Sequence, residues 1–389
     1  MPAVYPYTQY SGIWNLSSQA NAKAAGTWPT QPAPYLYAWG YNASGQLGLN
    51  NVTTYSSPKQ IGTDAAWKSI SAGVDSNAYI KSNGTLWAWG INNYGQLGLG
   101  NTTAYSSPVQ VGALTTWSSV FMTQYHGVAL KTDGTLWTWG QNRFGELGLG
   151  ASGAGTYKSS PNQVGALTTW LRISGGAYFT VALKTDGTLW SWGYNAQGQL
   201  GLGNITNYSS PKQIGALTTW SKLNDSAGQN AFFAIKTDNT LWSWGYNGAG
   251  QLGLNNATYA FSSPQQVGAL TNWSKVNFYS SVFSIKTDGT LWAWGYNNYG
   301  ALGLGDALNR SSPTQIGALT NWSNTAAGGG YNGLAIKTDG TLWSWGRNNQ
   351  GQLGLGNATD YSLPKQVGSL TTWSTVYGGT NYAFAVAII

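Results

Sequence analysis

The sequence has no cysteine, one histidine and one glutamate, and charged residues make up only 7% of its 389 residues. The absence of cysteine excludes disulfide bonds, thiolate metal sites and cysteine nucleophiles. We expect His126 to be a hydrogen-bonded surface residue, and Glu146 merely replaces a glutamine that recurs elsewhere in the chain. Because acid–base catalysis needs paired titratable groups, we predict no catalytic residue, no metal ligand and no cofactor, and a protein that is not an enzyme.

Long apolar runs are also missing. No stretch approaches the roughly 20 residues that a membrane-spanning helix needs. The start of the chain, Met1–Tyr7, lacks the basic and apolar regions of a signal peptide. We therefore expect a soluble protein, without membrane insertion and without export by a signal peptide.

Glycine and tryptophan are abundant, with 54 and 22 copies, and they follow a repeat. A Trp-Gly pair recurs at intervals of roughly fifty residues, and Gly-x-Leu-Gly, Ser-x-Pro and a closing tryptophan follow each pair. The pairs begin at Trp39, Trp89, Trp139, Trp192, Trp244, Trp294 and Trp345. The closing tryptophans are Trp67, Trp117, Trp170, Trp220, Trp273, Trp322 and Trp373.

Each repeat has the pattern of β-strands joined by turns. In the third repeat, β-prone residues flank the Asp133-Gly134 turn, which is typical of a hairpin because glycine tolerates a positive φ. Two further strands are predicted around Pro161 and after Trp170. Four strands in about fifty residues predict one blade of a β-propeller.

The two ends of the chain predict how the ring closes. The first repeat starts at Tyr35 without the strand and turn that precede the Trp-Gly pair in the other six. The segment Tyr382–Ile389 matches that missing strand, with Val386 as far from Trp373 as Leu130 is from Trp117. We predict an all-β, seven-bladed propeller in which the N- and C-terminal strands share one blade and leave no open edge.

The repeated tryptophans have a structural interpretation. In a strand, Trp87 and Trp89 point to one side and Ala88 to the other, and the residue between the two indoles is always small. Such a surface suits packing between neighbouring blades. We therefore assign blade packing, rather than carbohydrate binding, to the seven tryptophans of the Trp-Gly pairs: Trp39, Trp89, Trp139, Trp192, Trp244, Trp294 and Trp345.

The motif Leu-Trp-x-Trp-Gly-x-Asn-x-x-Gly-Gln-Leu-Gly-Leu-Gly, followed by Ser-Ser-Pro, resembles the RCC1 (regulator of chromosome condensation) repeat over residues 35–389. Kelch repeats have a similar length, but their paired glycines are not found at the matching position. The resemblance implies a seven-bladed propeller. The best-known RCC1 members act on a small GTPase and chromatin through a protruding hairpin and acidic side chains, and no long insertion corresponds to that hairpin here. We do not carry their activity over.

A lysine precedes each hairpin turn in six repeats, at Lys81, Lys131, Lys184, Lys236, Lys286 and Lys337. We expect these lysines to form a solvated ring on one rim of the propeller. An aspartate two residues later cancels most of them, whereas a nucleic-acid site needs clustered positive charge. Despite the net charge of +7, we do not expect nucleic acid as a partner.

The N-terminal arm, residues 1–34, lies outside the repeats that occupy residues 35–389. Ser17 and Gly26 suit the two ends of a short helix that is too short to be stable alone. It either packs on its own propeller or anchors the chain elsewhere, through the candidate anchor residues Trp14, Leu16, Trp28 and Pro29. Gly-Ile-Trp-x-Leu-x-x-Gln and Ala-Gly-x-Trp-Pro resemble an element of tailed-phage virion structural proteins.

From that resemblance we hypothesise a phage virion surface protein, part of a tail fibre, a tail-associated structure or a capsid decoration. The arm would bind other virion structural proteins after synthesis in the host cytoplasm, and the propeller would contact a glycan or protein of the host surface. The alternatives are an intracellular RCC1-like module that binds protein or nucleic acid, and an enzyme built on a propeller. The variable loops 51–57, 151–159, 255–262 and 306–311 are where we expect a partner to be recognised.

Overall fold

The structure is a computed structural model that describes residues 32–226, 228–329 and 331–389. These residues form seven antiparallel sheets of four strands each. The arm residues Trp14, Leu16, Trp28 and Pro29 lie outside the described residues. Within the described residues, no helix is long and apolar enough to cross a membrane.

The strands are numbered in chain order and grouped into blades 1 to 7, with blade 1 containing both ends of the chain. Blade 1 contains β1 (Pro34–Gly40) and β2 (Tyr55–Gln60); blade 2, β3 (Trp67–Ala72), β4 (Ser76–Lys81), β5 (Leu86–Gly90) and β6 (Tyr105–Gln110). Blade 3 contains β7 (Trp117–Met122), β8 (His126–Lys131), β9 (Leu136–Gly140) and β10 (Lys158–Gln163); blade 4, β11 (Trp170–Gly176), β12 (Phe179–Lys184), β13 (Leu189–Gly193) and β14 (Tyr208–Gln213). Blade 5 contains β15 (Trp220–Leu223), β16 (Ala231–Lys236), β17 (Leu241–Tyr246) and β18 (Ala260–Gln266); blade 6, β19 (Trp273–Phe278), β20 (Ser281–Lys286), β21 (Leu291–Gly295) and β22 (Arg310–Gln315). Blade 7 contains β23 (Trp322–Gly328), β24 (Asn332–Lys337), β25 (Leu342–Gly346) and β26 (Tyr361–Gln366), and β27 (Trp373–Gly378) and β28 (Tyr382–Ile388) return to blade 1. Two short 3₁₀ helices, Ala154–Thr156 and Asn298–Gly300, lie in loops.

The predicted closure of the ring is confirmed. Strand β28 pairs with β1 over its whole length, with Leu36 opposite Val386 and Trp39 opposite Ala383, and β27 completes the sheet. Because β1 is hydrogen-bonded on both sides, neither terminal strand leaves an open edge.

The hairpin turn between the second and third strands follows from its sequence. Gly134 has φ 77°, which favours glycine, and a Cβ there would lie 2.1 Å from the carbonyl oxygen of Thr168. The Asp133 carboxylate accepts hydrogen bonds from the amide and the hydroxyl of Thr135, and the Thr135 hydroxyl accepts one from the Trp137 indole. The turn is therefore fixed by local hydrogen bonds.

The hydrophobic core lies between the blades. One of its clusters joins Ala78, Ile80 and Leu86 of blade 2 to Val120 and Trp139 of blade 3. Side chains of this kind contribute roughly 1.5–3 kcal/mol each when buried. Every blade is therefore stabilised chiefly by its neighbours.

The tryptophans assigned to blade packing lie in these clusters or at their edges, and all seven are fully buried. Each indole N–H donates to a backbone carbonyl of the preceding blade, at 2.8–3.0 Å; Trp89, for example, donates to Gln46 at 2.9 Å. The second glycine of Gly-x-Leu-Gly makes room for the indole ring, because a Cβ at Gly48 would lie 2.8 Å from the indole nitrogen of Trp89. The first tryptophan of each Trp-x-Trp, such as Trp87, is only half-buried.

Candidate functional site

The propeller has two faces that differ in their loops. The Asp-Gly face carries the hairpin turns between the second and third strands, and the Trp-Gly face carries the loops that follow the Trp-Gly pairs. The first strand of each blade lines the central channel, running from the Asp-Gly face to the Trp-Gly face.

Three of the six lysines next to the hairpin turns are buried, contrary to expectation, and the other three are partly buried. Lys184, Lys236 and Lys286 are at most 9% exposed. Their ammonium groups lie over indole rings, as Lys184 does over Trp190 at 3.8 Å from the ring centroid. The apolar lysine stem covers the tryptophans while the cation meets the negative face of the ring, a contact that stabilises by about 0.5–2 kcal/mol. These lysines are therefore part of the fold.

The expectation that His126 lies on the surface is also wrong, because the residue is fully buried. Its Nδ1 lies 2.8 Å from the Thr123 hydroxyl and its Nε2 lies 2.8 Å from the Thr180 hydroxyl. Burial lowers the pKa of His126 to about 3, so that the imidazole is neutral. Its hydrogen bonds link blades 3 and 4.

Glu146 is also fully buried, and its carboxylate forms hydrogen bonds with residues close to it in the sequence. Its carboxylate accepts hydrogen bonds from the amides of Arg143 and Phe144, at 3.0 and 2.6 Å. Burial raises the pKa of this carboxyl group. Across residues 32–226, 228–329 and 331–389, no group of three or more His, Asp or Glu side chains is placed to hold a metal ion.

The loops of the Trp-Gly face are held by the asparagine of the motif. Asn92, which is fully buried, donates to the carbonyls of Asn101 and Thr103 and accepts from the amide of Leu97. The equivalent asparagines in all seven blades are buried. The loops therefore have a fixed base, and the residues at their tips are free to differ between blades.

Six aromatic side chains on the Trp-Gly face form one continuous group across blades 2, 3 and 4, four of them from the loops after the Trp-Gly pairs and two from the connections between first and second strands. We call it the aromatic patch, and its members are Tyr94, Tyr125, Phe144, Tyr157, Tyr178 and Tyr194. Tyr125 stacks on Tyr178 with ring centroids 4.7 Å apart, and Tyr94 meets Tyr125 edge to face at 5.6 Å. Phe144 contacts both Tyr178 and Tyr194, at 5.3 and 4.6 Å.

The aromatic patch is accessible and departs from the repeat. Its rings are half-buried, and Tyr94 reaches 36% exposure. The position of Tyr125 and Tyr178 is tyrosine again in blade 7, at Tyr331, but in blades 1, 2, 5 and 6 it is Asn381, Asp75, Asn230 and Ser280. Because blades with small or polar residues there fold in the same way, packing of the propeller does not require these tyrosines.

A polar side chain and a cationic side chain lie next to the aromatic patch. The Gln124 amide donates to the Tyr125 hydroxyl at 2.7 Å, and the Arg143 guanidinium lies 5.2 Å from the centroid of Phe144. Burial, followed by the hydrogen bond with Tyr178, raises the pKa of Tyr125, so that its hydroxyl keeps its proton. The surface offers aromatic area together with donors and acceptors and carries little charge.

A smaller aromatic group occupies the same face at blades 6 and 7. Tyr299 and Tyr331 lie 5.9 Å apart and have φ values of 64° and 67°, a conformation that bulky residues rarely adopt. Arg347 covers Tyr299 with its guanidinium 4.9 Å from the ring centroid. Such local strain tends to occur at functional sites.

Of the variable loops proposed for recognition, residues 151–159 supply Tyr157, which contacts Tyr94 at 5.9 Å. Tyr259, in the loop 255–262, is 64% exposed and lies against Tyr246. The aromatic patch was not predicted from the sequence, in which the repeated aromatic residues are tryptophans. Its signal is tyrosine just before the second strand in the adjacent blades 3 and 4, a position that is also tyrosine in blade 7 and is small or polar in the other blades.

The fold defines the class: a seven-bladed β-propeller repeat protein, here with aromatic side chains clustered on its Trp-Gly face. The family follows from sequence. The chain matches the RCC1-like domain over residues 33–281 and the Regulator of chromosome condensation (RCC1) repeat over residues 288–336 and 339–386. It belongs to the RCC1 repeat family.

Known relatives share parts of this chain. Protein RCC2 from Homo sapiens is 33% identical over 96 residues, which are 24% of this chain and 18% of RCC2. The Ultraviolet-B receptor UVR8 from Arabidopsis thaliana is 27% identical over 201 residues, which are 50% of this chain and 45% of the receptor. The matched segments thus span less than half of either relative.

Solved structures share the fold. Human WBSCR16 superposes with a TM-score of 0.81 at 20% identity, covering 91% of this chain and 99% of that protein. Prp20p from Saccharomyces cerevisiae superposes with a TM-score of 0.80 at 20% identity, covering 92% of each chain. At this identity the likeness shows the fold alone.

Proposed function

We propose that this chain is a non-enzymatic, RCC1-like protein-binding module and that the aromatic patch is its contact surface. The observation that carries the proposal is the continuous contact of Tyr94, Tyr125, Tyr178, Phe144 and Tyr194 on the Trp-Gly face. Tyrosine is enriched in protein interfaces because it supplies a large contact area and a hydroxyl with little loss of side-chain entropy.

Proteins of the same fold support this assignment. Prp20p was solved in a study of its binding to Gsp1p and histones, and yeast RCC1 (Prp20) was solved with Kap60 bound to it. A relative with an enzymatic name, the Probable E3 ubiquitin-protein ligase HERC6 of Homo sapiens, is 34% identical over 105 residues, but these are only 10% of that protein. A match to so small a part of the ligase does not extend its activity to this chain.

The electrostatics favour a protein partner over nucleic acid. Among the described residues, only the Arg143 guanidinium makes a cation–π contact with a ring of the aromatic patch, that of Phe144. Nucleic-acid affinity depends on many phosphate contacts and falls steeply with salt. We expect binding at the aromatic patch to depend only weakly on salt concentration.

The test compares partners recovered from the native source by three tagged chains: the wild type, Tyr125→Ser with Tyr178→Ser, and the control Tyr208→Ser with Tyr361→Ser. The control removes two half-buried tyrosines from outer strands. A partner that binds the wild type and the control, but binds the patch variant at least tenfold more weakly, supports the proposal. Equal recovery by all three folded chains overturns it.

The virion hypothesis is a second candidate, and its support is the sequence of the arm, with Trp14, Leu16, Trp28 and Pro29. In that setting the same face would contact a glycan or protein of a host surface. Mass spectrometry of purified phage particles tests the virion hypothesis, and absence of the chain from the particles would overturn it. Deleting residues 1–34 should abolish incorporation while the propeller still folds, and retained incorporation counts against the arm as an anchor.

A further inference from the structure

The central channel holds a cluster of charges that the proposed function does not use. The first strands of the seven blades enclose a lumen of about 580 Å³. This volume lies within the range of about 300–1,000 Å³ that is typical of small-molecule sites. In a chain with only 7% charged residues, charges inside such a cavity need an explanation.

The charges occupy one repeat position, two residues after the closing tryptophan of each blade. In blades 2 to 7 and then 1, that position is Ser69, Ser119, Arg172, Lys222, Lys275, Asn324 and Thr375, and all seven residues line the lumen. Three consecutive blades therefore carry cations where the other four carry small neutral side chains. The neutral blades show that folding does not require a cation there.

The cationic side chains are directed around the channel by backbone carbonyls. Lys222 donates to the carbonyl of Ser274 at 3.0 Å, and Lys275 donates to that of Ser323 at 3.1 Å. Each ammonium group has three N–H donors and uses one in this way. Arg172, which is exposed in the lumen, adds a planar guanidinium suited to two-point binding of an oxyanion.

Among the described residues that line the lumen, Asp225 is the only carboxylate. Enclosure by the channel wall raises its pKa, and the nearby charges of Lys275, Arg172 and Lys222 oppose that rise, which places the three cations around a common space. Burial, in turn, lowers the pKa of Lys275. None of the three cations forms an ion pair with a described carboxylate. Three positive charges against one negative charge leave the lumen with a net excess of two.

The channel narrows towards the Trp-Gly face. There the Gly329 amide donates to the Gly379 carbonyl at 2.8 Å, and Gly176 and Gly228 form a β-bridge between blades 4 and 5. A Cβ at Gly378 would lie 2.5 Å from the carbonyl oxygen of Ala327. The cations lie at the opposite, wider end, near the Asp-Gly face.

We infer that the channel binds a small dianion of the phosphate type, held by Arg172, Lys222 and Lys275 at its Asp-Gly end. A dianion matches the excess charge, and its oxygens can accept the N–H donors that the carbonyls leave free. Inorganic phosphate and a phosphate monoester share this chemistry. The inference is independent of the proposed function, because the aromatic patch lies on the opposite face.

Isothermal titration calorimetry with inorganic phosphate, at constant ionic strength in chloride, tests the site. The site variant is Arg172→Ser with Lys222→Ser, which installs the serine of blades 2 and 3. The control, Lys212→Ser with Lys365→Ser, makes the same change in net charge on outer strands. We expect the site variant to bind phosphate at least tenfold more weakly than the wild type, and the control to bind like the wild type.

Asp225→Asn separates this site from simple neutralisation of Asp225. If the cations serve a dianion, the wild type binds phosphate and removing the competing carboxylate strengthens that binding severalfold. If they serve only Asp225, the wild type does not bind phosphate and binding appears only in the variant. Repeating the titration with glucose 1-phosphate distinguishes free phosphate from a monoester, and tighter binding of either supports the site. The inference is overturned by the absence of phosphate binding, by equal affinity of site variant and control, or by binding only of an acidic peptide.

Discussion

The indole N–H of Trp39, in the first strand of the propeller, donates a hydrogen bond to the backbone carbonyl of Gln352 at 3.0 Å, across 313 residues of sequence. The same bond joins Trp244 to Gln199 at 3.0 Å in the middle of the chain. The seam where the ring closes is therefore built like every other blade interface, and closure needs no special contact.

Replacing Trp39 by Phe should lower the free energy of unfolding by about 1–3 kcal/mol, because the buried Gln352 carbonyl loses its donor. Trp244→Phe should cost a similar amount. Urea denaturation of both variants measures the two costs. A much smaller effect at Trp39 would show that the first and last repeats are not joined as described.

Replacing Lys131 by Met should destabilise the fold by about 0.5–2 kcal/mol, because the ammonium group lies 3.6 Å from the centroid of the Trp137 ring. Methionine keeps the apolar stem that covers the indole. The control is Lys158→Met in the same blade, where the lysine is exposed. Thermal unfolding compares the two, and equal melting temperatures would mean that the cation contributes nothing at this site.

The fold could be predicted from the sequence because its determinants are local and repeated. The Asp133-Gly134 turn, the Trp-Gly pairs and the missing strand before Tyr35 each fix an element or its partner, and seven copies reinforce one another. The environments of individual side chains were harder to predict from the sequence. A lysine before a turn is usually solvated, and only the register of the hairpin places Lys131 above Trp137.

The candidate site was missed for a related reason. Tyr94, Tyr125 and Tyr178 are far apart in sequence, and their contact depends on how adjacent blades place their loops. Repeats reveal what all blades share, whereas a binding surface consists of what a few blades do differently. A site of this kind is indicated in the sequence where one repeat position carries different residue types in different blades, as Arg172 and Ser119 do.

The buried histidine should make folding sensitive to moderate acid. The pKa of His126 is about 3 in the folded protein against 6.5 in the unfolded chain, so the unfolded state binds the extra proton between these values. The stability present above pH 6.5 is therefore lost as the pH falls, by roughly 1 kcal/mol per pH unit. His126→Asn, the residue of blade 7 at this position, removes this dependence. Urea titrations of both proteins at pH 7, 6 and 5 measure the difference, and parallel curves would contradict a neutral buried imidazole.

The buried glutamate should reduce stability at neutral pH. Because burial raises the pKa of Glu146 above its ordinary value of 4.5, the folded state binds the proton more readily, and the ionised form present at pH 7 is the less stable one in the fold. Glu146→Gln, which restores the residue of blades 1 and 2, should raise the melting temperature at pH 7, with a gain that shrinks as the pH falls towards 4.5. The reverse change, Gln96→Glu, should lower it at pH 7. A lower melting temperature for Glu146→Gln at pH 7 would show instead that the carboxylate's bonds to the amides of Arg143 and Phe144 outweigh the cost of burying its charge.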